Sequence, residues 1–385
     1  MQQRSPPMRI TIITSPFSFL PPQGIGAIEK RWFYVGHEFA EQGHDVTFIH
    51  KRSNPPPERG LPNVHFRGIP GFGRTGFRAA DIVLDLFYSL RAIWVLQETD
   101  ILILNTFWTP LLCLFARRKY RRSVYNVARM PKGQYRFFGH VDRLACVSKA
   151  VAEELIRQTP QRAPLVRVIN NPINTGAFRF QQPADPASRV NICFTGRLHP
   201  EKGLSLLVQS YALLKRRFPE LSLTLVGASS IHDGGGGEAF LDQLRKLVGD
   251  CPIEWVSPVS DPYALADVIA RCDIFCYPSI SERGESFGVA PLEAMATGRP
   301  VVVSALECFR EFIRHDHTGL VFDHRGATPH LALAHELERL IIDPELRHLL
   351  GRQGSALAHS HFSVQAIAAQ YLDDFGSLLA APDHA

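Results

Sequence analysis

The stretch DIFCYPSISERGESFGVAPLEAMATGRPVVVS, residues 273–304, decides how the rest of the chain is read. It opens on an apolar run of strand length, Asp273–Tyr277, and closes on another, Pro300–Ser304. Between them lies a Ser- and Gly-bearing loop, then a helix expected over Pro291–Thr297, with Pro291 near its first position and Gly298 closing it. Strand, helix and strand at this spacing make a parallel β-α-β unit with a right-handed crossover. A helix that starts beyond a strand end offers unpaired N–H groups and the positive end of its dipole. The amides of Phe287, Gly288, Val289 and Ala290, with Ser286 before them, therefore form an anion site. Glu285 falls on the loop and Glu293 in the expected first turn. A carboxylate in a first turn can be a mere partner of the dipole. Two carboxylates flanking an anion site would instead repel a phosphate, unless they bind neutral hydroxyls beside it. A ribose and a sugar ring on either side of a diphosphate supply such hydroxyls, so the residues point toward a nucleotide-sugar.

The same alternation runs outward in both directions. Upstream, Arg9–Ser15, Asp45–His50, Asp100–Asn105, Ser123–Val127, Asp142–Val147 and Leu165–Ile169 read as strands, with helices at Ala27–Gln42, Ala79–Glu98, Thr109–Arg118 and Ser148–Gln158. Gln181–Ser188 (QQPADPAS) is polar and Pro-rich, as a linker is. After it the pattern restarts at Val190–Thr195 and continues to a short strand at Leu320–Phe322. A chain of 385 residues exceeds what a single core usually serves, and about two domains are expected. We read a first domain over 1–180, a linker over 181–188, a second domain over 189–361, and a tail over 362–385. The tail's amphipathic helix is expected to cross back to the first domain. The fold class is α/β, with two doubly wound domains.

Ligands bind beyond the carboxyl ends of strands in such sheets. Two further loops at strand ends carry unusual residues. GRLHPEKG, residues 196–203, sets Arg197 and Lys202 on one short loop, where a forked guanidinium and a point-charge ammonium suit a diphosphate. Gly24-Ile25-Gly26 precedes a helix and would let backbone approach a ligand. It lacks the GxGxxG spacing, so a dinucleotide cofactor is poorly supported.

Composition narrows the remaining classes. With 45% hydrophobic, 21% charged and 10% aromatic residues the chain is neither disordered nor fibrous. It has no uninterrupted apolar run of about 18 residues, and residues 1–8 carry no secretory signal pattern, so a cytoplasmic location is expected. The seven cysteines are scattered without a CxxC, which reads as reduced thiols, and the dispersed histidines give no metal set. The net charge of +5 hides an asymmetry, +12 over residues 1–187 and −7 over 188–385. The densest basic run is Arg117-Arg118-Lys119-Tyr120-Arg121-Arg122. It reads either as a solvated helix end or as a patch for an anionic partner such as lipid head groups, effective only if the cations share a face. A nucleic-acid partner rests on this run alone and is set aside.

At these residues the chain resembles the retaining glycosyltransferase family 4, whose fold is GT-B: two Rossmann-like domains facing across a cleft. The Glu-x7-Glu signature is Glu285 to Glu293 within ESFGVAPLEAMATGRPVV. GRLHPEKG resembles the family's diphosphate loop, GIGAIEK its first glycine loop, and VINNPINT the motif before the linker. The resemblance implies that Gly196, Arg197 and Lys202 hold the donor diphosphate, and that Glu293 binds the ribose. Glu285 with the amides of Phe287 and Gly288 would bind the transferred sugar, and Gly24 and Gly26 would shape the donor and acceptor region. It implies no cofactor and no metal, with cations and a helix dipole stabilising the leaving nucleotide, and retention by front-face attack. The usual glycine of the base-binding turn stands as Ser257, leaving Pro258 and Val259 as weak base contacts. A histidine common at an N-domain strand end is missing: that region reads VYNVARMPKG, with Asn126 and Arg129, and the preceding strand ends in Asn105. The acceptor stays open between a lipid-linked or anionic molecule, with peripheral contact at the inner face of an anionic membrane, and a soluble natural product. A nucleotide-sugar epimerase and a non-catalytic scaffold of the same fold are the competing readings.

Overall fold

The computed structural model describes residues 6–22, 27–54, 60–182 and 189–382. It divides into unit 1, Met1–Pro172 with Val364–Ala385, and unit 2, Ile173–Ser363.

Unit 1 is built on strands β1 (Arg9–Ile13), β2 (Asp45–Lys51), β3 (Val64–Ile69), β4 (Thr99–Leu104), β5 (Tyr120–Val127), β6 (Arg143–Cys146) and β7 (Val166–Val168). They form a parallel sheet in the order β3-β2-β1-β4-β5-β6-β7. Helices α1 (Ala27–Glu41), α2 (Arg78–Val95), α3 (Thr109–Leu112) and α4 (Lys149–Gln158) make the crossovers. The central strands are covered on both faces, which is why successive residues, Ile12 and Ile13 on β1 and Ile101, Leu102, Ile103 and Leu104 on β4, are all fully buried and the sequence shows apolar runs, not alternation. Ser148 caps α4, its side chain accepting from the Val151 N–H.

Two local expectations are corrected. The edge strand β3 (VHFRGI) was not assigned from sequence, because a half-exposed run of mixed polarity carries a weak signal. The helix expected over Thr109–Arg118 is α-helical only to Leu112. A 3-10 segment, Cys113–Lys119, follows and kinks at Ala116. The basic run thus spans a 3-10 end and the first residues of β5, and Arg122 does not share the exposed side of the other cations. Arg122 points inward and is buried, whereas Arg117, Arg118 and Arg121 are exposed.

Unit 2 repeats the plan with β8 (Asn191–Thr195), β9 (Ser222–Val226), β10 (Glu254–Val256), β11 (Ile274–Tyr277), β12 (Val301–Ser304) and β13 (Leu320–Phe322). The parallel order is β10-β9-β8-β11-β12-β13. Its helices are α5 (Leu204–Lys215), α6 (Gly237–Val248), α7 (Pro262–Ala270), α8 (Val289–Ala296), α9 (Pro329–Ile342) and α10 (Pro344–His361). Neither α9 nor α10 was read from the sequence; α9 packs on α5 and α10 on α8. Residues 173–181 already belong to this unit. Ile173 N–H donates to Phe362 O at 2.8 Å, Gln181 N–H to Thr297 O at 3.2 Å, and Phe178 is buried. The sequence-based end of the first domain at 180 therefore lies within unit 2.

The last helix, α11 (Val364–Ala380), returns to unit 1 and packs on α1. Tyr371 and Phe375 enter the apolar core beside Trp32 and Phe39. Charge seals the contact. Arg143 meets Asp374 at 2.9 Å, and Arg122 Nε donates to Leu378 O at 2.9 Å, a cation on the carbonyl end of the helix. Among the described residues no helix is long and apolar enough to cross a membrane.

Candidate active site

The order of strands reverses direction between β8 and β11, so the loops after these two strands leave the sheet side by side. That is where an open α/β sheet binds its ligand. Both loops are short and strongly cross-linked. Glu201 O accepts from the Ile280 N–H at 3.0 Å and from Ser279 Oγ at 3.3 Å, and Ser304 Oγ donates to Ser279 O. The approach is so close that a Cβ on Gly203, which has φ 68°, would lie 1.9 Å from Pro278 O. Gly227, at the end of β9, is constrained likewise: a Cβ there would sit 1.7 Å from Gly196 O.

This clamp brings together two of the residues singled out from sequence. Lys202 Nζ lies 2.7 Å from Glu285 Oε2, with both side chains about one-tenth exposed. Tyr277, the last residue of β11, completes the group. Its hydroxyl donates to Glu285 Oε2 at 3.3 Å, and its ring lies 5.2 Å from Lys202 Nζ. Burial, reinforced by the Glu285 carboxylate, pushes the Tyr277 phenol well up, so it stays a neutral donor. Arg197 is held differently. Its guanidinium donates to Gly234 O at 2.9 Å and to Glu201 Oε1 at 2.6 Å, and it remains accessible. The glycine-rich loop before α6 thus wraps the arginine. Gly236 N–H donates to Leu198 O at 2.8 Å, which anchors that loop to residues 196–203. Tyr277, Glu201 and Gly234 were not singled out from sequence. The position of Tyr277 at a strand end was the one available signal.

Helix α8 begins earlier than expected. Gly288 is its N-cap, with φ 88°, so Val289 is its first residue and Pro291 its third. Glu293 consequently sits in the second turn and not the first, which removes its reading as a first-turn dipole partner. Ser286 and Val289 are half-buried. The Phe287 side chain is core, packed against Phe312 at 5.3 Å and Phe362 at 6.1 Å, which leaves only its backbone for a ligand. Pro258 is exposed and Val259 half-buried on the loop after β10, at the same end of the sheet. Gly24 and Gly26 lie outside the described residues.

The family model described as glycosyltransferase family 4 matches residues 28–177, and that described as glycosyl transferases group 1 matches residues 177–356. A protein of Arthrobacter sp. (strain FB24), named D-inositol 3-phosphate glycosyltransferase, is 32% identical over 344 residues, 84% of this chain and 78% of its own length. The chain belongs to glycosyltransferase family 4. Sucrose-phosphate synthase from Thermosynechococcus elongatus superposes with a TM-score of 0.74 at 19% identity, covering 97% of this chain and 99% of that one. Anabaena HepE, in complex with UDP and glucose, gives 0.71 at 17% identity, covering 96% and 100%. At such identities the likeness is one of fold, the GT-B arrangement of two Rossmann-like domains. As a family 4 member the chain is a glycosyltransferase that uses a nucleotide-sugar donor.

In this glycosyltransferase the corresponding strand ends of unit 1 carry a buried amide network. Trp32 Nε1 donates to Asn105 Oδ1 at 2.6 Å and Asn126 Nδ2 to the same oxygen at 2.9 Å, while Asn105 Nδ2 donates to Ile13 O at 2.9 Å. Arg31 donates to Asn126 Oδ1 at 3.1 Å, Asn171 Oδ1 at 3.0 Å and Ile169 O at 3.0 Å, and also to the Tyr371 hydroxyl. Where a histidine was expected, two asparagines are locked by a tryptophan and an arginine. Arg129 is exposed and outside this network. Burial lowers the pKa of Arg31, and its cation rests 5.3 Å from the rings of Trp32 and Tyr371. Sequence reading missed Arg31 because it sits among the apolar positions of α1.

Proposed function

We propose that this glycosyltransferase is a retaining enzyme that works without a metal ion, moving a sugar from a nucleotide-diphosphate-sugar to an acceptor hydroxyl. The observation that carries the proposal is the Lys202–Glu285 pair at the β8/β11 switch point, with Arg197 on the same loop as Lys202. A lysine and a glutamate already paired are ready for a ligand that is anionic at one end and hydroxylated at the other. In this reading the diphosphate takes Lys202 and Arg197, with the amides of Gly196, Phe287, Gly288 and Val289, and the hydroxyl of Ser286, around it. The sugar hydroxyls take Glu285, the ribose takes Glu293, and Pro258 and Val259 flank the base.

The chemistry follows from these roles. The bond between the anomeric carbon and the diphosphate oxygen breaks, and negative charge grows on the departing nucleoside diphosphate. Two cations and the start of α8 stabilise that charge in place, which is the kind of preorganisation worth most in a transition state. The acceptor hydroxyl attacks from the face the leaving group vacates, and its proton passes to the leaving phosphate oxygen. The anomeric configuration is therefore kept.

The acceptor reading is a phosphate-bearing or lipid-linked molecule met at an anionic membrane. Support comes from the +12 charge of residues 1–187 and from a relative whose name carries D-inositol 3-phosphate. The test is a thermal-shift screen with UDP-, GDP-, ADP- and TDP-sugars, then product analysis by NMR. A donor at a hundred times its Kd stabilises by about 2.7 kcal/mol. One class of donor should raise the melting temperature, and the product anomer should match the donor in EDTA as in buffer. An inverted anomer, activity lost to chelator, or no shift with any sugar nucleotide would overturn the proposal.

A further inference from the structure

Helix α2 is built inside out. Its inward face buries Asp85, Tyr88, Ser89 and Ala92, while its outward face shows Val83 (52% exposed), Phe87 (51%), Leu90 (48%) and Trp94 (85%). The spacing of these four keeps them on one side of the helix. An amphipathic helix of a water-exposed unit normally turns its apolar stripe to the core. Here hydrogen bonds fix the opposite rotation. The Asp85 carboxylate accepts from the Phe107 and Trp108 N–H groups at 3.0 and 3.1 Å, and Ser89 Oγ lies 2.9 Å from Thr106 Oγ1. Trp108 Nε1 also donates to Ile82 O at 2.9 Å, tying the start of α3 to α2. Two further aromatics are exposed on segments adjoining it: Phe77 just before the helix and Phe115, 87% exposed, on the 3-10 segment. Large apolar side chains left exposed along one helix side mark an interaction site.

The charges beside it select the partner. Lys119 Nζ donates to Trp94 O at 3.4 Å, which sets the basic segment against the C-terminal end of α2. Arg117, Arg118 and Arg121 are exposed there, and Arg91 is exposed on the helix itself. The acids nearby are already engaged. Asp81 holds Thr75, Glu98 is 3.6 Å from Arg9, and Asp100 is 3.7 Å from Arg9 and 3.9 Å from Arg121. Aromatic and aliphatic side chains flanked by cations match the boundary between acyl chains and anionic head groups. An amphipathic tryptophan beside the cations belongs at that depth.

We propose that this face of unit 1, the Val83–Phe87–Leu90–Trp94 stripe with Phe115 and the cations of residues 117–121, docks on an anionic lipid bilayer. The assignment deepens the membrane part of the function proposed above and is independent of the donor residues. Vesicle binding is read without any nucleotide-sugar, so failure of one reading leaves the other standing.

The experiment uses the full chain with vesicles of 30% phosphatidylglycerol in phosphatidylcholine, against pure phosphatidylcholine. Flotation should be at least tenfold stronger on the anionic vesicles and should weaken with salt. Tryptophan emission should move to shorter wavelength on binding, and Trp94→Ser should abolish that move. Phe87→Ser/Leu90→Ser/Trp94→Ser should lose flotation by tenfold or more while donor hydrolysis in solution is unchanged. Arg118→Glu/Arg121→Glu, both at exposed positions, should lose it similarly and covers the case in which the triple variant fails to fold. No flotation by the wild type overturns the proposal, as does wild-type flotation by either variant. A concentration-dependent dimer that the Trp94→Ser change disperses, without vesicle binding, would assign the face to a second copy of the chain.

Discussion

Replacing Lys202 by Met removes one charge and keeps most of the stem, and two separate losses should follow. The first is stability. The ammonium is 2.7 Å from Glu285 and both side chains are about nine-tenths buried, so the variant strands a buried carboxylate with the Tyr277 hydroxyl beside it. Breaking a buried pair from one side costs about 3–5 kcal/mol. For a unit the size of Ile173–Ser363 each kcal/mol moves Tm by about 2–4 °C, so a fall of about 6–20 °C is expected. Glu285→Gln in the same chain removes the stranded charge and should restore much of that. The second loss is turnover. A cation that meets the leaving diphosphate only as its charge develops is worth about 2.7–4 kcal/mol, or about a hundred- to a thousandfold in kcat. The Lys202→Met/Glu285→Gln chain should recover Tm but not turnover. Scanning calorimetry and initial rates at saturating donor measure the two quantities on the same preparations. If Lys202→Met lowers Tm yet keeps kcat within about threefold, Lys202 is a structural counter-ion and the diphosphate assignment fails.

Arg197→Ala should behave in the opposite way. Its ion pair with Glu201 is substantially exposed and worth about 1 kcal/mol or less, so Tm should hardly move while kcat falls about a hundredfold in steady-state assays. Glu293→Ala should weaken nucleotide binding by roughly tenfold or more in calorimetry, the loss of a hydrogen bond to a charged group, and unchanged affinity would remove it from the ribose role. Asp85 gives a pH dependence in unit 1. Burial raises its carboxyl to about 6, against the amide N–H groups of Trp108 and Phe107 that favour the anion. The folded state therefore holds this proton more tightly than the unfolded chain. The stabilisation is full below about pH 4 and is lost as pH rises through about 6, on the order of 3 kcal/mol. Denaturant unfolding across pH 4–7 should show a shallower decline in Asp85→Asn than in wild type, and parallel profiles would count against it.

The elements that could be read from sequence are those whose signal is local. Strand β11 and helix α8, its start read two residues late at Pro291, were legible because an apolar run, the closing Gly298 and a proline near a helix start act over a few residues. Arg197 and Lys202 were visible as two cations on one strand-end loop. Helices α9 and α10 and strand β3 went unread, although α9 begins at a Thr-Pro pair and the Asp343 side chain caps α10 by accepting from the Leu346 N–H; they pack on α5, α8 and β2. The basic run stayed open between a solvated helix end and a patch because a sequence cannot show which way each side chain points. The start of β5 at Tyr120 alternates its side chains, and α11 supplies carbonyls that draw Arg122 inside.

By itself, then, the sequence determined the class of fold, the two successive α/β units and the chemistry of the strand-end loops, because periodicity, caps and charge are properties of neighbours along the chain. Only the tertiary structure decided which of those groups meet. Lys202 reaches Glu285 because Gly203 lets its loop press against Pro278, and α2 turns its aromatic stripe outward because Asp85 and Ser89 find their partners on a loop some twenty residues away. Both are long-range satisfactions of buried polar groups, and that energy has no trace in any local window of the chain.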